Sequence, residues 1–136
     1  IGYRHVALRK AKEEIFLAAW FKLEPGDKNA SKLQIKEWQE RRLQTQPLQF
    51  PNAGSVFRNP PNDYAARLIE EVGLKGHKIG GAQVSDKHAN FIINYENTAT
   101  AADIENLIRY VQHMVEQQRG IKLIPEVKIV GDKLVD

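Results

Sequence analysis

Between Thr100 and Gly120 the chain carries a helix that has to be covered. Ile104, Leu107, Ile108, Val111 and Val115 recur at helical spacing and fall on one stripe. Thr100, with Asp103 three residues on, has the spacing of a capping box, and Gly120 is a C-terminal stop. An apolar stripe of that width must lie on a sheet or on another helix. Two partners can be read nearby. Ala65, Leu68, Ile69 and Val72 form a second stripe, with Asn62 or Asp63 as cap and Gly73 as stop. Phe91-Ile92-Ile93 is a short buried strand, and Ile121, Leu123, Val127 and Ile129 alternate as strands around Pro125. From Asn52 onward the pattern predicts an α+β domain, helices on a short sheet.

The first third reads differently. Glu14 to Leu23 is apolar and aromatic and predicts a strand, ended by the turn residues Glu24-Pro25-Gly26-Asp27. A helix is expected from Ser31, with Gln34 at capping-box spacing, to about Thr45 before Pro47. Its apolar face is thin, Ile35, Trp38 and Leu43, which suits a helix joining two bodies. Pro47 to Pro61 is too Pro-rich for a regular element and is expected as a loop or a broken strand. Ile1-Gly2-Tyr3-Arg4 has neither an initiator Met nor a signal-peptide pattern, and is expected to lie inside a longer protein whose preceding domain the Glu14–Leu23 strand completes. Unpaired there, Ile15, Leu17, Trp20 or Phe21 would expose apolar surface, and self-association or a poorly ordered first quarter is expected.

Composition narrows the function classes. There is no cysteine, so disulfides, zinc-thiolate sites and cysteine nucleophiles are excluded. Lys and Arg number 20 against 17 Asp and Glu, a net charge of +3 spread along the chain. A nucleic-acid binder clusters its basic residues on one face, so a nucleic-acid partner is not expected. A small anion such as a nucleotide sugar suits the excess. The longest apolar run, Ile15 to Phe21, is too short to span a bilayer.

The segment Asn52-Ala53-Gly54-Ser55-Val56-Phe57-Arg58-Asn59-Pro60-Pro61 concentrates the candidate chemistry. Gly54 permits close approach to Ser55, and Arg58 and Asn59 carry donors suited to phosphate, sugar or base edges. On spacing alone an ordinary Pro-anchored surface loop is the simpler reading. Gly54-Ser55-Val56-Phe57 lacks the second glycine of a G-x-S-x-G nucleophile elbow. Glu126, between Pro125 and Val127, is either a partly buried acid or a strand-edge carboxylate facing water, and composition favours the second. His77 and His88 lie in turn-rich segments where ligands dock, or cap turns. His113 lies on a helix as a solvated residue, and no histidine pair has metal-binding spacing. Gly76-His77-Lys78-Ile79-Gly80-Gly81 fits neither the P-loop nor the dinucleotide pattern.

Taken in order, these segments resemble the bacterial UDP-N-acetylenolpyruvoylglucosamine reductases, also called UDP-N-acetylmuramate dehydrogenases. The resemblance runs from Tyr3-Arg4 through Arg41-Arg42 and Gln46-Pro47-Leu48 to the Asn52–Pro60 loop. It continues through Ala66-Arg67-Leu68-Ile69-Glu70, Gly73-Leu74-Lys75-Gly76, Gly80-Gly81-Ala82-Gln83-Val84-Ser85 and Lys87-His88-Ala89-Asn90-Phe91-Ile92-Ile93-Asn94, and ends at Pro125-Glu126-Val127 and Gly131. The chain departs from the family at His5-Val6, where a residue and then Ser are usual, and at Thr45, where many relatives carry Lys.

The resemblance implies a cytoplasmic enzyme of peptidoglycan synthesis. NADPH reduces FAD, which reduces the enolpyruvyl group of UDP-N-acetylglucosamine enolpyruvate to give UDP-N-acetylmuramate. It implies Ser55 as proton donor, Glu126 as its catalytic partner, and Tyr3, Arg58, Asn59 and His88 as substrate-binding residues, with no metal ligand. It divides the chain into the last strand of a FAD-binding domain (residues 1–25), a linker helix (26–50) and a C-terminal substrate-binding domain (51–136). FAD and NADPH would be held mainly by a preceding domain, leaving this chain inactive by itself. The alternative is a nucleotide-sugar or anion-binding module without chemistry, which an upstream Gly-rich flavin region would rule out.

Overall fold

The computed structural model describes Tyr3, Ile15 and residues 17–131. The segments around Arg4, His5, Val6 and Glu14 lie outside the described residues. The chain divides into two compact units, Ile1–Gln34 and Ile35–Asp136.

The helix dictated by its stripe is α3, Ala101–Arg119, and its boundaries are fixed chemically. Asp103 N donates to Thr100 Oγ1 at 3.1 Å, and Thr100 N donates to Asp103 Oδ2 at 2.9 Å. At the far end Gly120 sits at φ +66°, a left-handed geometry that glycine adopts without strain. Leu107, Ile108, Val111 and Val115 are buried, and Ile104 packs at the margin of the core.

Its partner is one antiparallel sheet of β1 (Asn52–Ser55), β2 (Lys78–Ile79), β3 (Ala82–Val84) and β4 (Phe91–Asn94), in the order β1-β4-β3-β2. Ile92 opposite Val84 belongs to the core under α3, together with Leu68 and Ile69 of α2 (Ala65–Glu71). Phe91 and Ile93 are buried but outside that cluster, as expected of alternate residues in a strand. The helices and sheet make the unit α+β, as the pattern predicts.

Several sequence expectations change. Of the two readings of Pro47–Pro61, the broken strand holds: β1 pairs Asn52 with Ile93 and Ser55 with Phe91, with a register shift between them. A bulge of this kind lets a short Pro-flanked segment join a sheet edge. The Gly76–Gly81 turn region contains β2 and turns into β3 at Gly80-Gly81. Ile121–Ile129 forms no strand; it makes one bridge, Pro125 to Phe57, and the pairing stops there because Val56 N donates to Asn90 O and not back to Glu126. Ile15 and Leu17–Leu23 carry no strand either. Leu17, Trp20 and Phe21 are exposed, and among the described residues nothing pairs with their backbone.

Two helix starts also differ. The helix before Pro47 is α1, Lys28–Thr45, and its cap is Asp27: Oδ1 accepts from Asn29 N at 2.7 Å and Ala30 N at 2.9 Å. Ser31 donates its hydroxyl to Asp27 O instead of capping. No residue of α1 is buried. At α2, Asn59 rather than Asn62 or Asp63 serves the helix start, accepting from Ala65 N at 3.1 Å, while Asp63 pairs with Arg67. Gly73 ends this helix as expected, with Gly73 N bonded to Glu70 O and Leu74 N to Ile69 O.

Candidate functional site

The Asn52–Pro61 loop is shaped by its own side chains. Asn52 donates through Nδ2 to Phe50 O at 2.8 Å and Pro47 O at 3.3 Å, and its Oδ1 accepts from Gly54 N at 2.9 Å. Gly54 then takes φ +81°, which turns the chain at Ser55. Ser55 is half-buried at the end of β1, opposite Phe91. The chain next dips into the core at Val56 and Phe57 and resurfaces at Arg58 and Asn59.

Glu126 reaches this loop through backbone pairing. Arg58 N donates to Ile124 O at 2.9 Å, Glu126 N donates to Val56 O at 2.7 Å, and Phe57 bridges Pro125 between them. The pairing sets Glu126, half-buried, across from Val56 and so one residue from Ser55. Two segments at opposite ends of the domain sequence thus meet at Ser55–Arg58.

His88 joins from the β3–β4 turn. Its Nδ1 accepts from Asn90 N at 3.2 Å, which fixes Nε2 as the protonated nitrogen of a neutral ring. The ring packs edge-on against Phe91 at 4.8 Å, the residue opposite Ser55. Burial lowers its pKa, and the charge of Lys75 pushes the same way. Lys75 itself pairs with Glu70 at 3.0 Å. The structure therefore brings Ser55, Arg58, Asn59, His88 and Glu126 onto one loop system. Tyr3 is exposed and belongs to the other compact unit. Asn59 has its carbonyl oxygen engaged by α2, which leaves its amide N–H groups as the donors available to a ligand.

The sequence reading did not single out Asn90, a buried asparagine between Ala89 and Phe91. A polar residue inside an apolar run is the signal that marks it.

A groove of about 420 Å³ opens beside this loop system, lined by Ala53, Val56, Ile92, Ile104, Ile108 and Val127 among others. Its wall is mainly apolar, with Asn52, Asn94, Glu105 and Lys128 also lining it, and neither Ser55 nor Glu126 is part of it. Gly80 and Gly81 are filled from within: a Cβ on Gly80 would meet the Asp103 carboxylate at 2.3 Å, and one on Gly81 would meet Ala99 N at 2.3 Å. These glycines allow close packing on the start of α3 and do not cradle a phosphate. Among the described residues no three His, Asp or Glu side chains converge as metal ligands, and no helix is long and apolar enough to cross a membrane.

Comparison with known proteins bears on the whole arrangement. Residues 46–130 match the family described as UDP-N-acetylenolpyruvoylglucosamine reductase, C-terminal domain. The reductase of that name from Thiobacillus denitrificans is 56% identical over 97% of this chain and 40% of its own length. That from Legionella pneumophila is 56% identical over 97% of this chain and 42% of its own length. That from Caldanaerobacter subterraneus is 50% identical, over 97% and 43%. The crystal structure of the reductase from Thermus caldophilus superposes with a TM-score of 0.61 at 36% identity, covering 75% of this chain and 36% of the other. The chain thus spans about two fifths of the length of these relatives.

Proposed function

The chain belongs to the UDP-N-acetylenolpyruvoylglucosamine reductase family, and from that membership we propose that it carries the proton-delivering and substrate-holding side of the active site. The substrate is UDP-N-acetylglucosamine enolpyruvate and the product UDP-N-acetylmuramate, a peptidoglycan precursor made in the cytoplasm. The observation that carries the reading is the Phe57–Pro125 bridge with its Glu126 N–H to Val56 O bond, which puts Glu126 beside the Ser55 loop.

FAD, reduced by NADPH, supplies the hydride when bound. The Gly76–Gly81 turn is closed by Asp103 and Ala99 and offers no flavin cradle, and the chain spans about two fifths of the length of its relatives. FAD and NADPH are accordingly assigned to a part of the enzyme outside these residues. By itself this chain is expected to bind the nucleotide sugar and not turn it over.

What remains for these residues is the proton. Addition of hydride to the terminal carbon of the enolpyruvyl double bond leaves the electron pair delocalised over the adjacent carbon and its carboxylate. Ser55 Oγ–H gives its proton to that adjacent carbon, and solvent restores the hydroxyl. Glu126 supports the transfer from across the strand pairing. The exposed Arg58 guanidinium offers paired donors to the pyrophosphate. The Asn59 amide N–H groups and His88 Nε2–H offer donors to the rest of the nucleotide sugar.

Stopped-flow flavin absorbance in the complete enzyme tests this reading. Ser55→Ala should leave flavin reduction by NADPH intact and slow its reoxidation by the enolpyruvyl substrate about 10²–10⁴-fold, the contribution of a positioned general acid. Reoxidation at the wild-type rate, with Arg58→Ala still weakening substrate binding, would reduce the chain's role to binding alone.

A further inference from the structure

The backbone of Val56 and Phe57 has four polar groups in a buried position, and one residue satisfies three of them. Asn90 O accepts from Val56 N at 2.9 Å, Asn90 Oδ1 accepts from Phe57 N at 2.9 Å, and Asn90 Nδ2 donates to Phe57 O at 2.8 Å. The fourth, Val56 O, accepts from Glu126 N at 2.7 Å. The Asn90 carboxamide therefore pairs with Phe57 as a neighbouring peptide unit would, donating and accepting on one residue. Asn90 is buried, so these bonds are shielded from water.

The other end of Asn90 is equally fixed. Its own N–H goes to His88 Nδ1 at 3.2 Å, and the turn that carries it is tied by Ser85 Oγ, which accepts from Lys87 N at 3.1 Å and His88 N at 3.3 Å. Phe91 N donates to His88 O at 3.0 Å, and Ser85 N donates to Phe91 O at 2.9 Å.

We propose that Asn90 is the positioning residue of this site: its carboxamide clamps the Val56–Phe57 backbone, and that backbone sets Ser55 on one side and Glu126 on the other. This deepens the function proposed above and rests on it. Only a carboxamide of this length both donates to and accepts from Phe57. An isosteric carboxylate keeps the acceptor and turns the donor into a second acceptor facing Phe57 O. The His88–Asn90 bond is made by the Asn90 backbone N–H, so it holds a substrate-binding residue on the same turn independently of the carboxamide.

The test is Asn90→Asp in the flavin-loaded enzyme that contains this chain, alone and combined with Ser55→Ala. Asn90→Asp should slow flavin reoxidation by substrate roughly 10–100-fold, the scale expected when a catalytic group is displaced by about an ångström. Flavin reduction by NADPH should not change, and the substrate KM should shift far less than the reoxidation rate. In the Ser55→Ala background the same substitution should change reoxidation less than about twofold, because the group it positions is gone. A purely structural asparagine would slow both backgrounds alike, and that result, or a wild-type rate for Asn90→Asp, overturns the proposal. Ser55→Ala at the wild-type rate would instead remove the proton-donor reading and this inference with it. If Asn90→Asp does not fold, amide hydrogen exchange in the wild-type enzyme decides. Val56 and Phe57 N–H should be far more protected than their loop neighbours Ala53 and Asn59, and equal exchange overturns the clamp.

Discussion

Two helices of nearly equal length, α1 with 18 residues and α3 with 19, are held by different forces. Both begin at a side-chain cap, Asp27 for α1 and Thr100 for α3. Both carry an (i, i+4) ion pair on the surface, Lys36–Glu40 and Arg109–Glu105. Yet α3 buries four apolar side chains under the sheet and α1 buries none. A cap contributes about 0.5–2 kcal/mol and a surface pair about 1 kcal/mol or less, whereas each fully buried aliphatic side chain contributes about 1.5–3 kcal/mol. A helix can therefore be well specified locally and still owe nothing to a core. The exposed Leu33, Ile35, Trp38 and Leu43 of α1 are the mark of that condition.

The largest test of this contrast is truncation of the two apolar faces. Leu107→Ala should cost about 2–5 kcal/mol in urea unfolding, because Leu107 is fully buried. Trp38→Ala should stay within about 0.5 kcal/mol of wild type. A loss for Trp38→Ala comparable to that for Leu107→Ala would mean that α1 is packed against a partner in solution, and the contrast would fail.

A smaller effect is expected from the caps. Thr100→Ala should lower global stability by about 0.5–2 kcal/mol, since the capping box anchors a helix that belongs to the core. Asp27→Ala should leave the urea midpoint unchanged and reduce only the helical circular-dichroism signal. A shift of the midpoint by Asp27→Ala would show that α1 unfolds together with the core.

The smallest effect is acid sensitivity. Asp103 is held below the usual carboxylate range by the Thr100 backbone N–H, then by its hydroxyl and by Gly81 N–H. Asp27 is held low by the N–H groups of Ala30 and Asn29. A depressed folded-state pKa stabilises the fold above the unfolded value of about 4, and that stabilisation is lost as pH falls through the folded value. Asp103→Asn should therefore flatten the acid limb of global stability, while Asp27→Asn should flatten only that of the helical signal. Identical acid limbs for wild type and Asp103→Asn would remove Asp103 from the balance.

The same division explains what could be read from the sequence. The α3 helix was legible to its caps because stripe, capping box and glycine stop agree on one element. Where signals conflicted, the reading slipped. Ser31 with Gln34 imitates a capping box, but Asp27 lies closer to the first free N–H groups and takes them. The prolines around Asn52–Ser55 left loop and broken strand undecided, and the strand needs only four residues and a bulge. At Ile121–Ile129 alternation is present, but pairing stops at one bridge because Val56 N is taken by Asn90 O. The candidate residues came from family motifs and not from periodicity. Asn90 was passed over because its role is a backbone clamp formed with Phe57, far away in sequence.

The proposed function requires Ser55 and Glu126, joined through the Val56–Phe57 backbone, to act on one proton-transfer step. A double-mutant cycle in the complete enzyme measures that directly, with flavin reoxidation by the enolpyruvyl substrate followed by stopped flow. Ser55→Ala and Glu126→Gln should each slow reoxidation while sparing reduction by NADPH. The double variant should be little slower than the slower single variant, as for groups that act as a unit. Full multiplication of the two losses would mean that the residues work independently, and would contradict the account.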